Sequence, residues 1–381
     1  MKTLADRNPP AARLAVLAAV AGLAVAFSAA RAPSAELPAA PARLSATELY
    51  TAHGEVDPAN RPFSPQYPLW TDGAVKSRWI HLPPGARIDV ADPDAWQFPV
   101  GTRLWKEFAW NGRKVETRFS WRASAQHWVF ATYVWNEAQD DATLVPPDGV
   151  PDAVDVGAPR RHSIPGLADC ESCHGGSPVL GFDALQLSDD RDPLAPHAEP
   201  PPPGAVTLAT LVAKGLLAPP RPEWVRDPPR IRTADPIERA ALGYLAGNCG
   251  GCHDARGPSR ASASCCATTW RRRPTRPSPR CARPWTWPES SWCRGRPGRL
   301  TAGRAGAPER SAIVARMRLR RPSSQMPPLG TVAQDAQALA LIERWISGLH
   351  PRVRRSREDA APAGAGSRGR VAGLDRAQPL P

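Results

Sequence analysis

Two short segments of the chain repeat one pattern, Cys170-Glu171-Ser172-Cys173-His174 and Cys249-Gly250-Gly251-Cys252-His253. Two thiols separated by two residues, with an imidazole directly after, constrain the backbone severely. One turn must present two sulfurs and one ring nitrogen to the same group. Covalent haem attachment needs this order: the thiols become thioethers on the two vinyl groups, and the histidine is held beneath the iron as its proximal ligand. Two other uses of such residues exist. A structural zinc site takes four Cys or His ligands, which the two motifs can supply together. A redox disulfide of the thioredoxin type also uses Cys-x-x-Cys, but no βαβ pattern surrounds either motif. The expectation is therefore two covalently attached haem c groups. Cys170, Cys173, Cys249 and Cys252 would form the thioethers, and His174 and His253 would be the proximal iron ligands.

The compartment follows from the N-terminus. Lys2, Arg7 and Arg13 precede an apolar run from Leu14 to Phe27, and Ser28-Ala29-Ala30 supplies small residues for cleavage. The run is short for a bilayer span and suits a secretory signal over residues 1–30, followed by an Ala/Pro linker over 31–44. A periplasmic location is expected, with membrane association only through a partner or an uncleaved signal. The formal charge of +13 does not point to nucleic acid. Residues 255–300 carry a net +10 and residues 351–381 a net +4, which leaves the rest of the chain close to neutral. Neither basic segment has the spacing of a groove-binding element, and the tail contains no aromatic residue.

Residues 45–160 read as β-rich. Val115–Trp121 and His127–Trp135 alternate apolar and polar side chains, and Asn111-Gly112 is a hairpin turn signal. A small antiparallel sheet or sandwich is expected, with its many tryptophans in the core. Residues 161–230 read as mostly loop carrying the first motif, with one helix near Thr207–Leu217. Residues 235–349 open with Asp235-Pro236, a helix cap and first turn, and place Ile237, Ala240, Ala241, Tyr244 and Leu245 on one face. They close with a helix whose stripe is Leu339, Ile342, Trp345, Ile346 and Leu349. Between these ends, residues 258 to 306 hold four of the eight Cys and four of the 14 Trp, rich in Arg and Pro, with no period. That composition fits a GC-rich gene read out of frame, or an insert without a fold of its own. Residues 350–381 read as a disordered basic tail.

The sixth iron ligands are scarcer. Only Met1, Met317 and Met326 are methionines. Met326, in Gln325-Met326-Pro327-Pro328, is expected as the distal ligand of the second haem, where a thioether raises the potential. Met317, in a helical Arg-flanked setting, reads as a packing residue. The first haem has no local methionine. His162 is the nearest candidate for its distal ligand and His197 the next, with an open sixth site as the alternative.

Residues 235–349 resemble a class I cytochrome c domain: capped helix, attachment motif, Met-Pro loop, terminal helix with an aromatic. In that family the first and last helices cross at an aromatic contact, for which Tyr244 and Trp345 stand in the matching places. The whole chain also resembles a family of bacterial di-haem c-type cytochromes with a β-rich N-terminal part. The residues that carry this are Tyr67-Pro-Leu-Trp-Thr-Asp-Gly-Ala-Val-Lys76, Phe98–Thr102, His162–Pro165 and Leu180–Ser188. The resemblance implies an α+β multi-domain chain: an N-terminal antiparallel sheet or sandwich, a loop-rich haem-binding segment and an all-α cytochrome c-like domain. It implies two haems but no defined substrate; electron transfer with a redox partner protein is the expected function. The alternatives are a peroxidase-like enzyme with an open site at the first haem, and a subunit docking a membrane oxidoreductase.

Overall fold

The computed structural model describes residues 38–93, 95–253 and 306–349. The signal segment, half of the linker, nearly all of the aperiodic segment at 258–306 and the basic tail therefore lie outside the described residues.

A single antiparallel sheet is the frame. Its strands are β1 (Arg61–Pro62), β2 (Val75–His81), β4 (Arg103–Trp110), β5 (Arg113–Arg122), β6 (Trp128–Trp135) and β7 (Ala142–Leu144), adjacent in that order. The missing number, β3 (Ile88–Asp89), leaves the sheet to pair in parallel with β10 (Leu217–Ala218). A separate hairpin joins β8 (Val150–Val154) to β9 (His162–Ile164). The Asn111-Gly112 turn closes β4 onto β5, with both residues at positive φ as a tight hairpin demands.

Alternation along the strands sends two side-chain sets to two faces, and both faces are covered. On one, Trp105, Phe119, Ala131, Tyr133 and Trp135 pack with Leu44 and Leu49 from the N-terminal segment. The indole N–H groups of Trp105 and Trp135 donate to Thr47 Oγ1 (2.9 Å) and Thr117 Oγ1 (3.0 Å), so these tryptophans are buried without stranding a donor. On the other face, Ile80, Leu104 and Phe98 meet Phe182, Leu187, Leu208, Leu211, Leu217 and Trp224. The expected boundary near residue 160 is thus crossed by one shared core. Each such buried side chain contributes about 1.5–3 kcal/mol, so the loop-rich stretch is the sheet's second cover.

That stretch also contains helices: α1 (Leu167–His174), α2 (Leu208–Ala213) and α3 (Glu223–Arg226). Helix α1 encloses the whole first motif, where the sequence pattern predicts loop. The C-terminal part is helical where described: α4 (Pro236–Asn248), α5 (Ala312–Arg318) and α6 (Ala336–Gly348). Asp235 caps α4 by accepting from the Ile237 N–H (2.8 Å), and Asp335 caps α6 by accepting from that of Ala338 (3.0 Å). Ala241, Tyr244 and Leu245 of α4 pack with Val314, Met317, Ile342, Trp345 and Ile346, so Met317 is a core residue.

The segment Tyr67–Gly73 joins the two halves. Gly243 and Gly247, one turn apart on α4, lie flush against Tyr67: a Cβ on the first would overlap the Tyr67 ring and on the second the Tyr67 carbonyl oxygen. Asn248, the residue before the second motif, accepts from the Trp70 N–H (2.8 Å) and donates to the Pro68 carbonyl (3.2 Å). Asp72, at φ +43, accepts from the Val332 and Ala333 N–H groups, each at 2.9 Å. These are the residues that follow the Met326 loop.

Candidate functional site

Cys170 and Cys173 lie three residues apart on α1 and so share a helix face. The helix is seated on β6: Cys170 Sγ is 3.8 Å from Thr132 Oγ1, and the His174 ring lies 5.0 Å from that of Phe130. The start of α1 is fixed by Gly166, whose Cα approaches the Pro147 carbonyl so closely that no Cβ would fit. His174 Nδ1 is 2.8 Å from the Pro178 carbonyl oxygen. A carbonyl only accepts, so Nδ1 carries the proton and the lone pair is on Nε2. This is the outer bond that orients a histidine for metal ligation. Desolvation, added to by the Arg118 and Lys106 charges, pushes the imidazole down to about 4 against the Pro178 bond, which keeps it neutral.

The second motif begins where α4 ends. The Cys249 N–H donates to the Leu245 carbonyl (2.9 Å), and the N–H groups of Cys252 and His253 turn back to the Cys249 carbonyl (3.2 and 2.9 Å). Gly251 packs against Leu180, just past the first motif. The two motifs meet: the Cys173 thiol contacts that of Cys252, and this neighbour, with burial, raises it well above the ordinary thiol range. Burial likewise raises Cys170 over the lowering effect of Arg118. All four cysteines are free of disulfides. Reactive cysteines are marked by a depressed pKa, and here the direction is the opposite. Among the described residues, no group of three or more His, Cys, Asp or Glu side chains forms a metal-ion site, whereas a zinc site needs four such ligands around one point.

Both histidines named as distal candidates for the first motif are held elsewhere. His162 is 1 % exposed, with Nδ1 2.7 Å from Asp72 Oδ2 and Nε2 3.7 Å from Glu116 Oε1. His197 Nε2 lies 2.9 Å from Asp335 Oδ1, and Asp335 also accepts from the Tyr244 hydroxyl (3.1 Å). His162 thus links β9 to the Asp72 turn and to β5, and His197 links its loop to the start of α6. Met326 is half-buried. Its N–H donates to the Arg316 carbonyl (3.0 Å), and Gln325 braces the loop through the Pro327 and Thr331 carbonyls (3.2 and 2.9 Å).

One feature of the site was missed from sequence. Arg78, Lys106 and Arg118 lie side by side across β2, β4 and β5, in register with Thr132 beneath Cys170. Their alternation with apolar residues was visible, but such spacing reads equally as a solvated face.

Comparison with protein-family models, with curated proteins and with solved structures gave no match. Among the described residues no helix is long and apolar enough to cross a membrane.

Proposed function

We propose that the chain is a periplasmic di-haem c-type cytochrome that transfers electrons between redox partner proteins. The observation that carries this is the meeting of the two Cys-x-x-Cys-His turns at Cys173 and Cys252, with His174 held by Pro178 in the tautomer that ligates through Nε2. Thioethers at Cys170, Cys173, Cys249 and Cys252 would hold two haems. His174 and His253 would be iron ligands, and Met326 would be a further ligand of the second haem. The haems supply one-electron chemistry. The protein keeps the His174 imidazole neutral and lines the first site with Phe130 and the sheet.

We read helices α4, α5 and α6, whose shared core includes Tyr244 and Trp345, as the cytochrome c-like domain. A pyridine haemochrome assay with protein quantitation tests the proposal. Two haems per chain are expected, and none would end it. Met326→Ala should lower one midpoint potential, abolish the methionine–iron charge-transfer band and leave the other haem unchanged.

A second reading has its own support. His162 and His197 are both engaged by carboxylates, which favours a first haem with an open sixth position and peroxidase-like chemistry there. A five-coordinate spectrum for one haem and turnover with hydrogen peroxide would select this reading; two six-coordinate haems without turnover would select the carrier.

A further inference from the structure

One face of the sheet, under the first motif, holds more buried positive charge than the described residues neutralise. Arg78 on β2, Lys106 on β4 and Arg118 on β5 stand in one cross-strand row, and Lys76 flanks it. Lys76 and Arg78 are 8 % and 7 % exposed. Among the described residues the row has one ion pair, Arg118 to Glu116 Oε1 at 2.7 Å, and Glu116 also faces His162. Among the described residues Lys106 has no carboxylate within ion-pair distance. Its Nζ rests over the Phe108 ring at 4.8 Å, with the Arg118 guanidinium on the same ring at 4.3 Å. Lys76 and Arg78 bond only backbone carbonyls, at 3.2 and 3.5 Å. They line a cavity of about 250 Å³ with Trp70 and His197, and Glu199 forms part of its wall. Buried charges are normally paired, because an isolated one costs several kcal/mol. Burial and mutual repulsion accordingly push Lys106 well below the ordinary ammonium range.

We propose that Arg78, Lys106 and Arg118 form the cradle for the two propionate carboxylates of the first haem, an inference that rests on the di-haem reading above. The row begins at the attachment point, since Thr132, the next residue along it, touches Cys170. Strands repeat at about 4.8 Å, which puts Lys106 about 10 Å and Arg78 about 14 Å from Thr132 along the sheet. A porphyrin carries its vinyl and propionate groups at opposite edges. Thioethers at Cys170 and Cys173 would therefore throw the carboxylates away from the motif and across these strands. Two propionates supply the two negative charges that the row lacks, in the bidentate form that guanidinium favours.

The test is Lys106→Met, with Lys106→Arg as its charge-preserving control. In the Met variant two haems per chain should remain. One midpoint potential should shift downward, because a nearby cation disfavours the ferric state and its removal relieves that. The same haem should gain a pH-dependent potential between about pH 5 and pH 9, as a propionate no longer held ionised begins to titrate. Lys106→Arg should behave like the unmutated protein. Should Lys106→Met fail to load haem, the unmutated protein still decides: a flat potential for one haem over that range supports the cradle, and a slope overturns it. Two haems with both potentials unchanged in Lys106→Met overturn the cradle but not the di-haem reading; no haem in the unmutated protein overturns that reading itself. A potential that depends on added inorganic phosphate would assign the row to a soluble anion and likewise overturn the proposal.

Discussion

The two attachment motifs are alike in sequence and unlike in setting. The first sits on a helix docked on a six-stranded sheet, its histidine fixed by Pro178 and Phe130 and its surroundings charged by the basic row. The second is the turn that follows the end of α4, and its support comes from helices and from the Tyr67–Gly73 segment pressed against them. One motif is thus held by a sheet formed earlier in the chain, the other by the docking of two halves. The same five-residue pattern can be presented by different scaffolds, because attachment needs only a local turn while the chemistry of each iron is set by what surrounds it.

The widest separation between the two sites comes from removing the thiols. Replacing Cys170 and Cys173 with Ala should leave one haem per chain, with the methionine–iron band intact. Replacing Cys249 and Cys252 should also leave one haem, without that band. Haem stoichiometry and visible spectra check both, and identical products from the two double variants would erase the distinction.

Docking is the next lever, and it should weigh on the second site more than on the first. Asp72→Ala removes the acceptor of the Val332 and Ala333 N–H groups and the partner of His162, and it places a Cβ without side-chain support at φ +43. Stranded buried donors cost about 1–3 kcal/mol each, so a loss of roughly 3 kcal/mol is expected in chemical denaturation. Asp72→Asn, which keeps an acceptor oxygen and tolerates the turn, should lose less. Gly247→Ala or Gly243→Ala puts a methyl where Tyr67 already stands. The expected cost is about 1–3 kcal/mol, read as a lower Tm, and a Tyr67→Ala background should relieve Gly243→Ala, whose obstacle is the ring. Unchanged stability in these variants would mean the two halves do not rely on this contact.

Much of the sheet was legible because Val115–Trp121 and His127–Trp135 alternate and Asn111-Gly112 turns them back; the strands observed differ from that reading by a few residues at their ends. The caps at Asp235 and Asp335 were equally plain, since each is a local side-chain bond. What escaped was everything decided at long range. Phe182, Leu187 and Trp224 follow no period, yet they complete the core of strands some hundred residues away. The basic row was overlooked because alternation cannot say which face is solvated when both are covered. Nearness to Cys170 in the chain makes His162 one of two candidate distal ligands, but no local signal announces its bond to Asp72, far away in sequence. Gly243 and Gly247 did carry a signal, small residues one turn apart, that a reading centred on the apolar stripe passed over.

The smallest expected effect is a pH dependence belonging to the sheet side of the comparison. Burial alone would lower His162, but its hydrogen bond to Asp72 and the nearby Glu116 carboxylate outweigh that and raise it above the ordinary imidazole value. A group raised on folding contributes stability that is fully present below its unfolded pKa, about 6.5, and lost as the pH rises through the folded value. Glu116 runs the other way. Burial would raise it, yet Arg118 and His162 hold it below the usual carboxylate range, so its contribution is lost on acidification. The unfolding midpoint should therefore fall on both sides of neutrality. His162→Gln should flatten the alkaline limb while leaving the thermal behaviour of α4 to α6 unaltered. If the alkaline limb survives in that variant, the His162–Asp72 pair is not its source, and the link from the sheet to the Met326 loop is held by the Val332 and Ala333 backbone bonds alone.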